Sequence, residues 1–249
     1  MTLEFYLVAS AAVLLTGISK SGFAGGLGVL AVPMMSLFHT PQVAVTIMMP
    51  ILLIMDCANI WKYRASWSRR IVWSMLPGAF LGLALGAFTF QWMNPSFLKL
   101  AVGAMALLFA AQFVLSKTRG AARRETSSAA VFSLGAVSGF ASFVAHAGGP
   151  PVKGYLLRQN MEKSEFVGTN SVFFFALNFL KTLSYMAMGQ FTVDTLQTSA
   201  TLIPFLIAGV FLGFRLHGLV NQRVFANIAY VFLAFAGVKL LWDGLSGLG

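Results

Sequence analysis

A chain of 249 residues that is 58% hydrophobic and only 10% charged, with a mean hydropathy of +0.80, has too few polar side chains to cover a water-soluble domain. It reads as a polytopic membrane protein in one bundle, and its net charge of +10 belongs to short polar connections, which excludes a nucleic-acid-binding role. A single cysteine, Cys57, rules out an intrachain disulfide and is expected to pack as a small hydrophobe.

In chain order, residues 1–12 carry Glu4 and no basic lead, so the first helix is expected to stay in the protein rather than be cleaved as a signal. The first apolar region, 3–38, is broken by Lys20-Ser21-Gly22-Phe23-Ala24-Gly25-Gly26-Leu27-Gly28. Crossing the hydrocarbon core takes about 20 apolar residues, and the arm after the break is too short to do so. Uninterrupted spans follow at 43–61, 71–90 and 97–115. A second broken region, 129–157, holds His146-Ala147-Gly148-Gly149-Pro150-Pro151-Val152-Lys153-Gly154, and spans at 166–187, 198–216 and 224–242 complete the chain. Each broken region is predicted to be a re-entrant helical hairpin dipping into the bundle.

The two halves align. Placing Gly25-Gly26 on Gly148-Gly149 gives an offset of 123, which also places Thr46 on Thr169; further on, Pro77, Gly82, Gly86 and Asn94 fall on Pro204, Gly209, Gly213 and Asn221 at an offset of 127. The predicted fold is therefore all-α, with two inverted-topology repeats at 1–120 and 121–249, each a broken hairpin plus three transmembrane helices, in one membrane domain. Loop charge supports the inversion. Lys62, Arg64, Arg69 and Arg70 mark one cytoplasmic connection and Lys117, Arg119, Arg123 and Arg124 another, whereas the repeat equivalent of the first, 189–197, holds only Asp194. The neutral loop 91–96 has an equivalent that gains Arg215 and Arg223. Both termini are expected on the non-cytoplasmic side.

Irregular backbone and charge at membrane depth persist only where protein or a water-filled cavity shields them, so the duplicated break predicts a binding site. Helix starts inside a bundle point free N–H groups and a positive dipole end at an anion. The predicted anion-binding set is Lys20, Ser21, Gly22, Gly25, Gly26 and Gly28 from the first break, and His146, Gly148, Gly149 and Lys153 from the second. Thr46, Thr169, Asn170 and Ser171 add hydroxyls and an amide suited to an oxyanion. A lysine at the bilayer centre costs about 3 kcal/mol on insertion scales, which a bound anion offsets. The bland alternatives are that Lys20 and Lys153 reach to an interface or pair with Asp56, and that the hydroxyls join helices. Asp56, Asn59, Asn178 and Lys181 lie deeper and are expected to couple or gate, through an Asp56–Lys181 or Asp56–Lys20 ion pair. Gly78, Gly82 and Gly86, echoed by Gly209 and Gly213, form a ridge assigned to packing within the chain. Trp67, Trp73, Trp92 and Trp242 fall near predicted interfaces, and His39 and His217 at span ends carry no metal-ligand spacing.

Taken together, Gly22-Phe23-Ala24-Gly25-Gly26-Leu27-Gly28 with Val32-Pro33, Leu76-Pro77-Gly78 with its glycine ridge, and Gly139-Phe140 with Gly148-Gly149-Pro150 resemble the sulfite exporter TauE/SafE family, or TSUP permeases, over nearly the whole chain. The resemblance implies a bacterial inner-membrane carrier for sulfite, sulfoacetate or other organosulfonates, working by alternating access around a midplane anion site. Export is the expected direction, because an inside-negative potential favours anion exit by about 2.3 kcal/mol per charge per 100 mV. Proton-coupled uptake of a sulfonate, thiosulfate or other organic anion is the alternative, with Asp56 as the proton carrier. An intramembrane enzyme using Asp56 and His146 is a distant third reading, since no nucleophile motif accompanies them. No cofactor, metal or nucleic acid is expected. The expected partners are a small anion and membrane lipids, with a homodimer left open.

Overall fold

The computed structural model describes residues 1–22, 28–118, 127–216 and 222–248, and among them every regular element is helical. Helix α1 (Leu3–Gly22) is followed by a single 3-10 turn at Gly28–Leu30, the short α2 (Ala31–Ser36), and the long α3 (Pro41–Tyr63), α4 (Arg69–Trp92) and α5 (Pro95–Thr118). The series then repeats: α6 (Ser128–Ala145), the short α7 (Gly149–Leu156) running into a 3-10 turn at Leu157–Gln159, then α8 (Lys163–Ala187), α9 (Val193–Leu216) and α10 (Gln222–Ser246). Seven of these helices are long and apolar enough to cross a membrane. The protein is thus a polytopic α-helical membrane protein. The first arms of both broken regions, α1 and α6, are among the seven, while the second arms, α2 and α7, have 6 and 8 residues and reach only about 9–12 Å.

Local chemistry sets the helix ends. Ser127 accepts from the Ala130 amide to cap α6, Asn94 Oδ1 accepts from the Phe97 amide at 2.8 Å at the start of α5, and Pro41 opens α3 where its missing N–H costs nothing. Helix α6 stops at His146, which takes the left-handed conformation at φ 51°, with its own amide bonded to Ser142 O and that of Ala147 to Ala141 O. That C-terminal turn normally uses glycine, so a histidine there signals that its side chain is needed in place.

The most extensive packing is α4 on α6, α1 on α9, α5 on α10 and α3 on α8. Offsetting the chain by 123 to 127 residues exchanges the first two contacts and maps each of the others onto itself. The α4–α6 seam is backbone against backbone. A Cβ added at Gly78 would meet Phe132 O at 2.0 Å, at Gly82 Ala136 O at 1.9 Å and at Gly139 Ala79 O at 2.0 Å. The predicted glycine ridge is therefore a contact within the chain, and Gly209 meets the backbone of Leu14 and Gly17 in the α1–α9 seam in the same way.

Large apolar side chains such as Leu7, Phe88, Leu108, Phe235 and Trp242 face outward, as contact with hydrocarbon requires. Trp73 and Trp92 are exposed too, while Trp67 packs partly against the core with Arg69 over its ring. Cys57 corrects one expectation: it does not pack in the interior but is exposed on the outer side of α3, next to the fully buried Asp56. Neighbours on a helix differ by about 100° in direction, so one position separates core from lipid.

Candidate functional site

Polar residues on α8 recur at helical spacing: Asn170, Asn178 and Lys181, with Phe174 among them, lie along one face. That face, the end of α1, the turn at Gly28 and Val29 and the α6–α7 junction line a cavity of about 50 Å³. Lys20, Lys153 and Lys181 all reach its wall, together with His146, Asn170, Asn178 and Ser142; Gly28 and Gly149 supply backbone, and Val29, Leu52 and Phe174 the apolar surface. A water takes about 10–15 Å³ by this measure, so the space suits an oxyanion of a few heavy atoms.

Charge in the site is unevenly compensated. Asp56, with no exposed surface, forms an ion pair with Lys20 through Oδ1 and accepts from Asn178 Nδ2 at 2.6 Å through Oδ2. Of the two ion pairs considered from sequence, Asp56–Lys20 is the one formed. Lys181, also fully buried, instead bonds to Ser142 O at 2.9 Å, Ser142 Oγ at 3.1 Å and His146 Nδ1 at 2.7 Å. His146 Nε2 in turn lies 2.8 Å from Val45 O on α3. Among the described residues the Lys153 ammonium meets neither a carboxylate nor a hydrogen-bond acceptor. Three lysines thus reach the cavity wall, and among the described residues Asp56, which pairs with Lys20 without itself lining the cavity, is the carboxylate beside it.

The predicted residues divide into those on the cavity wall and those off it. On the wall are Lys20, Gly28, His146, Gly149, Lys153, Asn170, Asn178 and Lys181. Ser21 is buried beside Lys20, its hydroxyl without a partner among the described residues, Gly22 closes α1, and Gly25 and Gly26 lie outside the described residues, as does His217. Thr46 donates to Gln42 O at 2.8 Å within its own helix, and Thr169 Oγ1 accepts from the Ser68 amide at 2.8 Å, joining α8 to the start of α4. Ser171 is buried off the wall, and Asn59 is buried with neither side-chain atom bonded. Gly148 sits behind the wall, its carbonyl accepting from Ser138 Oγ at 2.8 Å. The α7 start offers fewer donors than the sequence suggests, because Pro150 and Pro151 remove two amides and leave those of Gly148 and Gly149. Asp56 and His146 engage different partners and form no acid–base couple. His39 stands in the turn between α2 and α3, edge-on to Phe5.

Ser142 is the polar cavity-wall side chain that reading the sequence misses. A signal existed: the offset of 123 places it on Ser19, so both halves carry a serine just ahead of the break. Below the site, Tyr185 donates to Phe143 O at 2.6 Å and packs with Phe90 and Phe143 into a buried aromatic plug one turn beyond Lys181.

Broken helices that meet around a cationic cavity inside a bundle of membrane-crossing helices define a transmembrane transporter for a small anion. The family model for the sulfite exporter TauE/SafE family matches residues 9–240, and the chain belongs to that family. Membership implies a membrane carrier of sulfite or related sulfur anions, which agrees with a non-enzymatic role. Comparison with curated proteins and with solved structures gave no match.

Proposed function

We propose that the protein is a secondary transporter that exports sulfite, sulfoacetate or another organosulfonate across a bacterial inner membrane. The observation that carries this reading is the charge balance of the cavity: Lys20 is paired with Asp56, while Lys153 faces the same space without a counter-ion among the described residues. An anion held there meets the Lys153 ammonium, the Asn170 amide and the Gly149 backbone at the start of α7. Export follows from the potential, because an anion leaving an inside-negative cell gains about 2.3 kcal/mol per charge per 100 mV without a coupling ion.

The mechanism in this reading is alternating access. Repeats at 1–120 and 121–249 are related by inversion in this reading: the exchange of α1–α9 with α4–α6 under the repeat offset supports the repeat, and the loop charge supports its inversion. Rocking of one repeat against the other opens the cavity to each side in turn, with both termini outside the cytoplasm. The Asp56–Lys20 pair bridges α3 to the break and acts as a gate, and the Tyr185 plug closes the far end.

The test is flux in liposomes. Purified protein is expected to move sulfite or a sulfonate in competition with other sulfur oxyanions, and Lys153→Ala to reduce that flux at least tenfold while thermal unfolding stays within about 2 °C. Normal flux of a neutral or cationic solute, with none for any sulfur oxyanion, would refute the assignment. Proton-coupled uptake is the second reading, and the neutral partners of Lys181 favour it over the already paired Asp56.

A further inference from the structure

We propose that Lys181 is a proton-binding group of the anion site, loaded together with the anion, so that each anion crosses with a proton. This rests on the anion-carrier reading above and takes its second, proton-coupled form, in which the membrane potential does not set the direction.

The case begins with a contrast between two buried lysines. Lys20 is paired with a carboxylate, that of Asp56. Among the described residues the ionisable groups around Lys181 are His146 from the α6–α7 junction, Lys153 from α7, Lys20 from α1 and Asp56 from α3, and both Asp56 oxygens are already taken by Lys20 and Asn178. A buried cation without its own counter-ion costs several kcal/mol. An anion in the cavity supplies that counter-ion.

The hydrogen bonds around Lys181 accept either protonation state. A carbonyl only accepts, so the 2.8 Å contact to Val45 O puts the ring proton on His146 Nε2 and leaves Nδ1 as an acceptor. As an ammonium, Lys181 donates to Ser142 O, Ser142 Oγ and His146 Nδ1, filling all three donors. As an amine, it keeps two of those bonds, to Ser142 O and His146 Nδ1, and its lone pair accepts from the Ser142 hydroxyl. One hydroxyl rotates and no contact is lost. Ser142 and His146 are positioning residues: they hold Nζ still while a proton arrives from the water that enters with the anion, binds the lone pair, and returns to water on the other side. A monovalent sulfonate then crosses with no net charge, so the membrane potential no longer sets the direction.

Methanesulfonate tests this, because it is fully ionised around neutrality and brings no proton of its own. In weakly buffered detergent solution with a pH indicator, the purified full-length protein is expected to take up about one proton per methanesulfonate bound, and affinity to fall up to about tenfold per pH unit as alkalinity rises. Lys181→Arg, which keeps its proton, is expected to bind with no proton uptake and no such pH dependence, and in liposomes to turn a voltage-insensitive flux into a voltage-driven one. Binding by the wild-type protein without proton uptake overturns the proposal and leaves the carrier reading standing, as does proton uptake that persists in Lys181→Arg. Failure to bind or move any sulfur anion removes both. Should Lys181→Arg not fold, the proton count on the wild-type protein decides alone.

Discussion

Gly82→Ala is a one-carbon change whose cost the α4–α6 seam makes large. The new Cβ would lie 1.9 Å from Ala136 O and 2.7 Å from its carbonyl carbon, where ordinary contact begins at 3.4 Å, so the helices must part by about 1.5 Å. The obstacle is backbone, so no side-chain rotation relieves it. Parting also opens the matching contacts at Gly78, Gly135 and Gly139, and a gap of even 0.5–1 Å forfeits about a quarter to a half of each dispersion well. Overpacking of this kind costs about 1–3 kcal/mol, and the rigid obstacle places Gly82 at the upper end. For a chain of this size that is a fall of about 5–10 °C in Tm, read from thermal unfolding in detergent. Gly154→Ala is the internal control, since nothing lies within 4 Å of its added Cβ. If Gly82→Ala shifts Tm no more than Gly154→Ala does, the reasoning about the seam is wrong.

Two further outcomes follow from the buried polar contacts. Asp56→Asn strands the Lys20 charge and is expected to cost about 3–5 kcal/mol of stability, while Lys20→Met combined with Asp56→Asn costs clearly less than the single change; a double mutant whose loss equals the sum of the two single losses in an unfolding-based cycle would show that the pair does not interact. Tyr185→Phe leaves Phe143 O without its donor inside the aromatic plug and is expected to cost about 1–2 kcal/mol, measured as the shift in Tm against wild type.

Sequence by itself determined the class, the element order and the places where the helices break. Apolar length and glycine runs are local properties, and in lipid each helix satisfies its own backbone, so those features are legible without knowing any contact. The glycine-rich breaks also placed Lys20, His146 and Lys153 beside the helix interruptions, and all three reach the cavity. Which lysine is compensated was decided only by tertiary structure, because Asp56 is equally available on paper to Lys20 and Lys181, and the crossing of α3 with α1 and α8 gives it to Lys20. Thr46 and Thr169 show the same limit: their matched positions look like a pair of ligands, yet each hydroxyl is used locally, one by its own helix and the other by the start of α4. Cys57, read as interior and found facing out, differs from Asp56 by one position and by the side of α3 on which the bundle lies. Helical periodicity gives the relative angle between two side chains, but the direction of the bundle is fixed only when the neighbouring helices pack.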